Sequence, residues 1–189
     1  IEENGVKDRL HLEDSNFCHF AKVVSKHQDL IDKNEGFDAV MMDLGVSSHH
    51  FDEGARGFSF RVDAPLDMRM ASDNDEVKTA KEIINSYSDI ELENLFRIYG
   101  EEKFSRRIAR KIVEVRAEKE IETTFELADL IKGCYPAKLR YGKTNPATKC
   151  FQALRIEVNR ELHVLTEVIP QIIPVLRKDD KIVDISCHA

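Results

Sequence analysis

The sequence predicts an α/β protein with a small parallel sheet and an inserted group of helices. Three segments are predicted strands: residues 9–14, 37–43 and 181–187. The second, FDAVMMD, is apolar without alternation, which is typical of a parallel strand covered on both faces. A helical pattern over residues 18–33 joins the first two strands, and a strand–helix–strand unit normally forms a parallel pair. Longer helical patterns separate the second strand from the third.

The composition excludes several classes of protein. Hydrophobic residues make up 42% and charged residues 33% of the 189 residues, as in ordinary globular proteins. No apolar run approaches the roughly 18 residues of a membrane span, and the polar start does not resemble a signal peptide. The net charge of −7 argues against a protein that coats nucleic acid, but it allows a local basic patch. We expect a cytoplasmic protein without membrane association.

The cysteines and histidines do not suggest a metal site. The four cysteines are widely spaced and form no CxxC pair, so reduced, partly buried thiols are predicted over a disulfide framework or a zinc site. The His49–His50 pair lacks further ligands at plausible spacing. We expect no metal.

The region after residue 76 contains several signals for helix starts. Two are capping boxes, in which Ser or Thr is followed three residues later by Glu: Ser88 with Glu91 and Thr123 with Glu126. Glu101 and Glu102 are expected to open a further helix, where they would complement its dipole. Asn145 before Pro146 predicts another helix start, and that helix is expected to end near Pro170.

The run from residue 37 to residue 70 is the most informative part of the chain. Its strand ends in Asp43, and Leu44 and Gly45 follow as a turn. Open α/β sheets bind ligands at the carboxyl ends of their strands, although an Asp there can also simply cap a turn. The stretch that follows has neither a helical nor a strand period, and long ordered loops of this kind are usually functional.

Three motifs in this run, DLGVSS, RGFSF and DAPLDMRM, resemble the signature of the bacterial 16S ribosomal RNA (cytosine-N4) methyltransferase family. Four later segments resemble that family in the same order: YGEEKFSRRIARKIVEVR, TTFELADLIK, NPATKCFQALRIEVNREL and VDIS. The resemblance extends from about Arg9 to the last residue. Several long motifs in register are much more specific than one short pattern.

The resemblance implies a Rossmann-like class I methyltransferase core with a partial parallel sheet. This core would comprise residues 1–71 and 146–189, and residues 72–145 would form an inserted helical lobe that recognises the substrate. Nothing before Arg9 supplies the glycine-rich turn and the ribose-binding acid that family members carry upstream. We therefore expect a chain shortened at both ends, with unpaired sheet edges that favour association into a homodimer.

The resemblance also implies a reaction. The cofactor would be S-adenosyl-L-methionine, and the substrate the N4 amine of a cytosine in the 16S rRNA of the small ribosomal subunit. The amine lone pair is delocalised into the ring, so an acceptor on its N–H restores nucleophilicity during methyl transfer. Positioning and electrostatics would supply most of the acceleration, without a covalent intermediate or a metal. The alternative is a truncated, non-catalytic RNA-binding remnant that cannot bind cofactor alone.

Individual roles follow from the matching positions. The catalytic candidates are Asp43, Ser47 and Ser48, and the cofactor candidates are Phe17, Asp43 and His50. Asp43 would accept a hydrogen bond from the cofactor amino group or from the cytosine amine. Ser47 and Ser48 bond either a phosphate or base edge, or only turn amides. Phe17 matches an aromatic at the adenine, with a core ring as the alternative, and His50 stands where the family commonly has Gln.

The candidates for RNA binding combine cations, aromatic rings and amides. They are Arg56, Phe58, Phe60, Arg61, Lys143, Lys149, Gln152 and Arg155. Arginines beside aromatic rings suit a flipped-out base, although the Phe rings also suit a core. Gln152, Arg155 and Asn159 share a helical face and either line the target pocket or join the helix to the loop. Asp67 and Arg69 are expected to pair and brace the loop.

A second basic surface is predicted further along. Arg106, Arg107, Arg110, Lys111 and Arg116 lie on one predicted helix, and more basic residues follow at 138–149. Charge runs on helices are usually only solvated faces. Contact with an RNA backbone is the alternative.

Overall fold

The computed structural model describes residues 10–33, 36–45, 54–70, 77–142 and 144–186. It has two compact units: a sheet unit of residues 1–44 and 162–186, and a helical unit of residues 45–161 and 187–189. The compact helical unit therefore begins earlier and ends later along the chain than the lobe predicted at residues 72–145. The division into a methyltransferase core and an inserted lobe stays a prediction.

The described residues form eight α-helices and two β-strands. In chain order these are α1 (Phe20–Lys26), α2 (Gln28–Lys33), β1 (Phe37–Leu44), α3 (Ala80–Ser86), α4 (Asp89–Ile98), α5 (Ser105–Arg116), α6 (Thr124–Cys134), α7 (Thr148–Val158), α8 (Glu161–Ile172) and β2 (Leu176–Ser186). Among these helices none combines the length and the apolar character needed to cross a bilayer.

The sheet unit contains the small parallel sheet that the sequence predicts. β1 and β2 run parallel, with Met41 opposite Val183, Asp43 opposite Ile185 and Leu44 opposite Ser186. Both strands therefore end at the same edge. The predicted burial of β1 on both faces was wrong, because Met41 is 69% exposed. An unbroken apolar run shows what a strand can bury, whereas its coverage depends on elements that pack onto the sheet.

The strand predicted at residues 9–14 was wrong for its described part, residues 10–14, which form no regular element. A strand needs a neighbour for its backbone groups, and the described residues provide none there. The Glu13 side chain instead bonds Lys26 at 2.5 Å and His27 at 3.1 Å, and Leu12 is 70% exposed.

Two helices predicted as continuous are divided. The pattern over residues 18–33 becomes α1 and α2, because α1 closes at His27, whose N–H donates to the Val24 carbonyl at 2.9 Å. The helix predicted to end near Pro170 becomes α7 and α8. The break lies at Arg160, whose φ of 50° is left-handed and cannot continue a helix.

The helix starts follow the capping rules in part. Both predicted capping boxes are confirmed, at the starts of α4 and α6, and a third forms at α3 from Thr79 and Glu82. The predicted start at Glu101–Glu102 was wrong: Glu101 has a φ of 48°, and Glu102 is buried ahead of α5. Asn145 and Pro146 were predicted to start the next helix, but α7 begins at Thr148. Asn145 accepts a bond from the Ala147 N–H at 2.9 Å in the turn that precedes α7.

The core lies mainly in the helical unit. Its largest fully buried side chains include Phe96, Leu92, Ile108, Ile112, Leu127, Ile131 and Leu154, which form one cluster with the loop residues Leu66 and Met68. The apolar side chains Ile108 and Ile112 of α5 thus pack inward. Cys134 and Cys150 are buried and Cys18 is half-buried, which confirms the predicted burial for the described cysteines.

Candidate functional site

Asp43 lies at the carboxyl end of β1 on a face that is open to solvent. Successive side chains of a strand point to opposite faces, so Asp43 shares its face with Met41 and with their β2 partners Val183 and Ile185. The Asp43 side chain is exposed, and the three apolar neighbours are 44–69% exposed. We call these four residues the open face of the sheet. It presents one carboxylate acceptor beside an apolar surface.

The Asp43 carboxylate is not used by the described scaffold. No described residue donates a hydrogen bond to it or forms an ion pair with it, in contrast to Asp38 on the same strand, which pairs with Arg177. Gly45 follows with a φ of 112°, a left-handed conformation that favours glycine. Ser47, Ser48 and His50 lie outside the described residues, and their roles stay predictions.

Phe17 begins a single turn of 3₁₀-helix in the sheet unit. Asn16 caps this turn, accepting a bond from the Cys18 N–H at 3.0 Å. Gln171 of α8 holds the same segment, because it donates to the Cys18 carbonyl and accepts from the Ala21 N–H, both at 2.9 Å. Phe17 is 43% exposed, so it is not a core residue of the described part of the chain.

The loop of residues 54–70 is braced from within. The Arg56 guanidinium donates to the carbonyls of Arg69 and Met70 at 2.8 and 2.7 Å. The predicted pair of Asp67 and Arg69 is confirmed by two side-chain hydrogen bonds of 2.9 Å. Burial alone would raise the pKa of Asp67, but the hydrogen bonds from Arg69 outweigh it and hold that pKa below its ordinary value. The carboxylate therefore stays charged and holds the loop at neutral pH.

The aromatic rings of this loop pack inward. Phe58 is 6% exposed, and the Phe60 ring meets Phe151 of α7 edge-on at 5.0 Å. These contacts are those expected of the core alternative, and a buried ring has no free face for a base. Arg61 is exposed. The RNA contacts of Arg56, Phe58, Phe60 and Arg61 stay predictions, of which Arg61 has the most accessible side chain.

Helix α7 and its end are tied to the same loop. At the end of α7, Asn159 accepts from the Met70 N–H at 2.7 Å and donates to the Met68 carbonyl at 2.8 Å. The prediction that this helical face joins helix to loop is confirmed for Asn159. Arg155 forms a two-pronged ion pair with Glu161 at 2.8 and 3.1 Å.

The three remaining candidates for RNA binding differ in their hydrogen bonds. Lys149 donates to the Glu101 carbonyl at 3.1 Å. The Gln152 side chain forms no hydrogen bond with another described residue, and Lys143 lies outside the described residues. Glu161, the partner of Arg155, was not predicted from the sequence. The signal available in the sequence was a glutamate six residues after Arg155.

Replacing Asn159 with Ala is expected to destabilise the helical unit by about 1–3 kcal/mol, because two backbone groups of the loop lose their partner. Urea unfolding followed by circular dichroism measures this change. Gln152→Ala is the matched control, since Gln152 lies on α7, which Asn159 caps, and its side chain bonds no other described residue. Its effect should stay within about 0.5 kcal/mol. Equal losses in both variants would contradict the bracing role of Asn159.

Comparison with known proteins points to one family. Residues 3–189 match the model of a family described as "MraW methylase family". Three similar curated proteins all carry the name "Ribosomal RNA small subunit methyltransferase H". The protein from Lachnospira eligens is 42% identical over 97% of this chain, that from Brevibacillus brevis 46% over 96%, and that from Persephonella marina 51% over 79%. These alignments cover 56%, 56% and 50% of the relatives, so the chain spans about half their length.

Proposed function

The chain belongs to the MraW methylase family, and from that premise we propose that it acts in the S-adenosyl-L-methionine-dependent methylation of a cytosine N4 amine in 16S rRNA. The names of its relatives support the reaction type and the RNA. They also favour the enzyme over a non-catalytic RNA-binding remnant. The proposed partner is the small ribosomal subunit, and the proposed location is the cytoplasm.

The finer architecture belongs to the same proposal. The sheet unit is part of a Rossmann-like class I methyltransferase core, and the helices of residues 72–145 are an inserted lobe that recognises the substrate. The parallel pair of β1 and β2 supports the first statement. The common core of α3, α4, α5 and α6 supports the second, and this core also includes Leu66, Met68 and Leu154 from outside residues 72–145. A homodimer is also proposed, and it draws support from the outer edges of β1 and β2, which pair with no other described strand.

The observation that carries the proposal is the position of Asp43. Ligands of open parallel sheets bind outside the carboxyl ends of the strands, where Asp43 lies exposed. A carboxylate accepts hydrogen bonds and donates none. An acceptor of this kind, placed on the amine N–H of cytosine, localises the lone pair on N4 and makes it a better nucleophile. The catalytic contribution is then positioning and electrostatics.

The open face also fits the cofactor. S-adenosyl-L-methionine supplies an electrophilic methyl group on a sulfonium. Asp43 offers the amino group of the cofactor a hydrogen-bond acceptor. Phe17, which is 43% exposed, offers the adenine of the cofactor a stacking surface. His50 is proposed as a further donor. Ser47 and Ser48 are proposed to position the substrate. Its RNA is proposed to meet the residues named above, from Arg56 to Arg61 and from Lys143 to Arg155.

Two measurements on this chain test the proposal. Calorimetric titration with S-adenosyl-L-methionine should show saturable heat, whereas a binding remnant gives none. Incubation with unmodified 16S rRNA and cofactor carrying a labelled methyl group should place label in N4-methylcytidine, identified by nuclease digestion and chromatography. Label in another nucleoside would contradict the proposed substrate. RNA binding without any heat from the cofactor would support the remnant instead.

A further inference from the structure

A groove of about 990 Å³ separates α5 from α6 in the helical unit. The first half of α5 and the residues before it line this groove with cations: Lys103, Arg106, Arg107, Arg110 and Lys111. The lining also includes the apolar Phe104 and Leu130 and four acids, Glu114, Glu120, Glu126 and Asp129, of which the first three pair with lysines. The positive charge is therefore concentrated at the end of the groove formed by the first half of α5, in a chain with a net charge of −7.

Most of these cations have no anionic partner. Lys111 bonds Glu114 at 2.7 Å, but among the described residues no ion pair involves Lys103, Arg106, Arg107 or Arg110, and all four are exposed. Two of them occupy the first turn of α5, where the helix dipole disfavours positive charge. A bound polyanion would relieve the repulsion at this end of the groove.

An exposed aromatic ring lies near the end of α6, whose last two residues line the groove. Tyr141 is 82% exposed, and the Lys132 ammonium lies 4.5 Å from its ring centroid. Lys132 directly precedes Gly133 and Cys134, which line the groove. Arg140 ties the segment of Tyr141 to the end of α6 by donating to the Gly133 carbonyl at 3.1 Å.

The electrostatics place the same cations around the end of α6. Burial raises the pKa of the Cys134 thiol, while the charges of Arg107, Lys111 and Arg140 act on it in the opposite direction. The cations of α5 and of the Tyr141 segment therefore lie close to one buried thiol. The cationic end of the groove and the Tyr141 segment thus both adjoin the end of α6, and together they form one candidate surface.

We propose that this surface binds a single-stranded segment of RNA, with phosphates held by Arg106, Arg107 and Arg110 and one unpaired base stacked on Tyr141. The inference rests on the proposed action on 16S rRNA and specifies which part of such an RNA the helical unit holds. A cationic groove combined with an exposed aromatic ring is the arrangement that binds single strands. An acidic peptide would need the cations but not the open ring.

Fluorescence anisotropy tests the cationic part, using this chain and a labelled, unstructured RNA of about ten nucleotides over a series of salt concentrations. Each phosphate contact to a single strand adds about 0.7 to the slope of log affinity against log salt. Arg106→Gln with Arg110→Gln should therefore weaken binding and reduce that slope by about 1.4. The control pair Lys22→Gln and Lys178→Gln removes the same charge from exposed positions of the sheet unit. An equal loss in the control would overturn the proposal.

Tyr141→Ala tests the stacking. It should weaken binding of the single strand at least about fivefold and leave the salt slope unchanged, while Tyr141→Phe should bind as the parent chain does. A duplex of the same sequence should not respond, because its bases are not free to stack on the ring. A Tyr141→Ala chain that binds the single strand normally would overturn the proposal.

These assays need neither cofactor nor turnover, so the two proposals can fail separately. RNA binding that depends on the groove, without methyl transfer, would leave this inference standing and reject the proposed reaction. Methyl transfer at the rate of the parent chain in all the groove variants would support the proposed reaction and reject this inference.

Discussion

Replacing Asp43 with Asn is expected to lower methyl transfer to RNA by at least about a hundredfold and to leave the fold intact. The amide keeps the shape of the side chain but loses its charge and directs an N–H₂ group towards an N–H donor. The Asp43 side chain is exposed and makes no contact with another described charged group, so stability should change by less than about 0.5 kcal/mol. Labelled methyl transfer gives the rate, and urea unfolding gives the stability.

Asp184→Asn is the matched control for this experiment. Asp184 lies on β2 opposite Met42, one position before the level of Asp43, and is also exposed. Transfer by this variant should stay close to that of the parent chain. Undiminished transfer by Asp43→Asn would contradict the catalytic role proposed for that residue.

Calorimetry then separates the two ways in which Asp43 can act. If it holds the cofactor amino group, Asp43→Asn should lose cofactor affinity together with transfer. If it accepts from the cytosine amine, cofactor affinity should be retained while transfer falls. Either result assigns the carboxylate to one hydrogen-bond donor.

Gly57→Ala is expected to destabilise the helical unit by about 3 kcal/mol or more. Gly57 has a φ of 75°, and a Cβ there would lie 2.2 Å from the Pro65 carbonyl oxygen and 3.0 Å from the Asp67 nitrogen. The left-handed backbone costs a residue with a side chain about 1–3 kcal/mol, and overpacking adds about 1–3 kcal/mol. Both neighbouring atoms belong to the backbone, so neither can move by a change of rotamer. Urea unfolding measures the loss.

Gly133→Ala is the control for the Gly57 variant. Gly133 lies in α6, and a Cβ there meets no atom within 4 Å. Alanine at this position should be neutral or stabilise by up to about 1 kcal/mol, since glycine is the weaker helix former. Unfolding of Gly57→Ala at the same urea concentration as the parent chain would contradict the close approach of the Pro65–Asp67 backbone to Gly57.

Local signals in the sequence were sufficient where the interaction itself is local. The capping boxes of Ser88 and Thr123 join groups three residues apart, and the pair of Asp67 and Arg69 joins groups two residues apart. Such contacts depend on a few backbone angles that the residues themselves favour. The strand that ends in Asp43 was predictable for a similar reason, because its composition suits a pleated backbone.

Contacts distant in sequence were not predictable in this way. The bond from Asn159 to Met68 spans 91 residues, and that from Gln171 to Cys18 spans 153 residues. The predicted strand before residue 15 lacks a described neighbour, although its alternating pattern suits a strand. A pattern records what a segment can form, and tertiary packing decides whether a partner is present.

The sequence by itself determined the family, the mixed helix and strand content, the parallel strand that carries Asp43 and most of the cations of the helical unit. Only the tertiary structure decided that Phe58 and Phe60 pack inward, that Asp43 lies exposed without a described partner and that Tyr141 and the arginines of the groove lie exposed. The physical reason is that residue chemistry is encoded at each position, whereas burial and pairing depend on segments that meet only after folding.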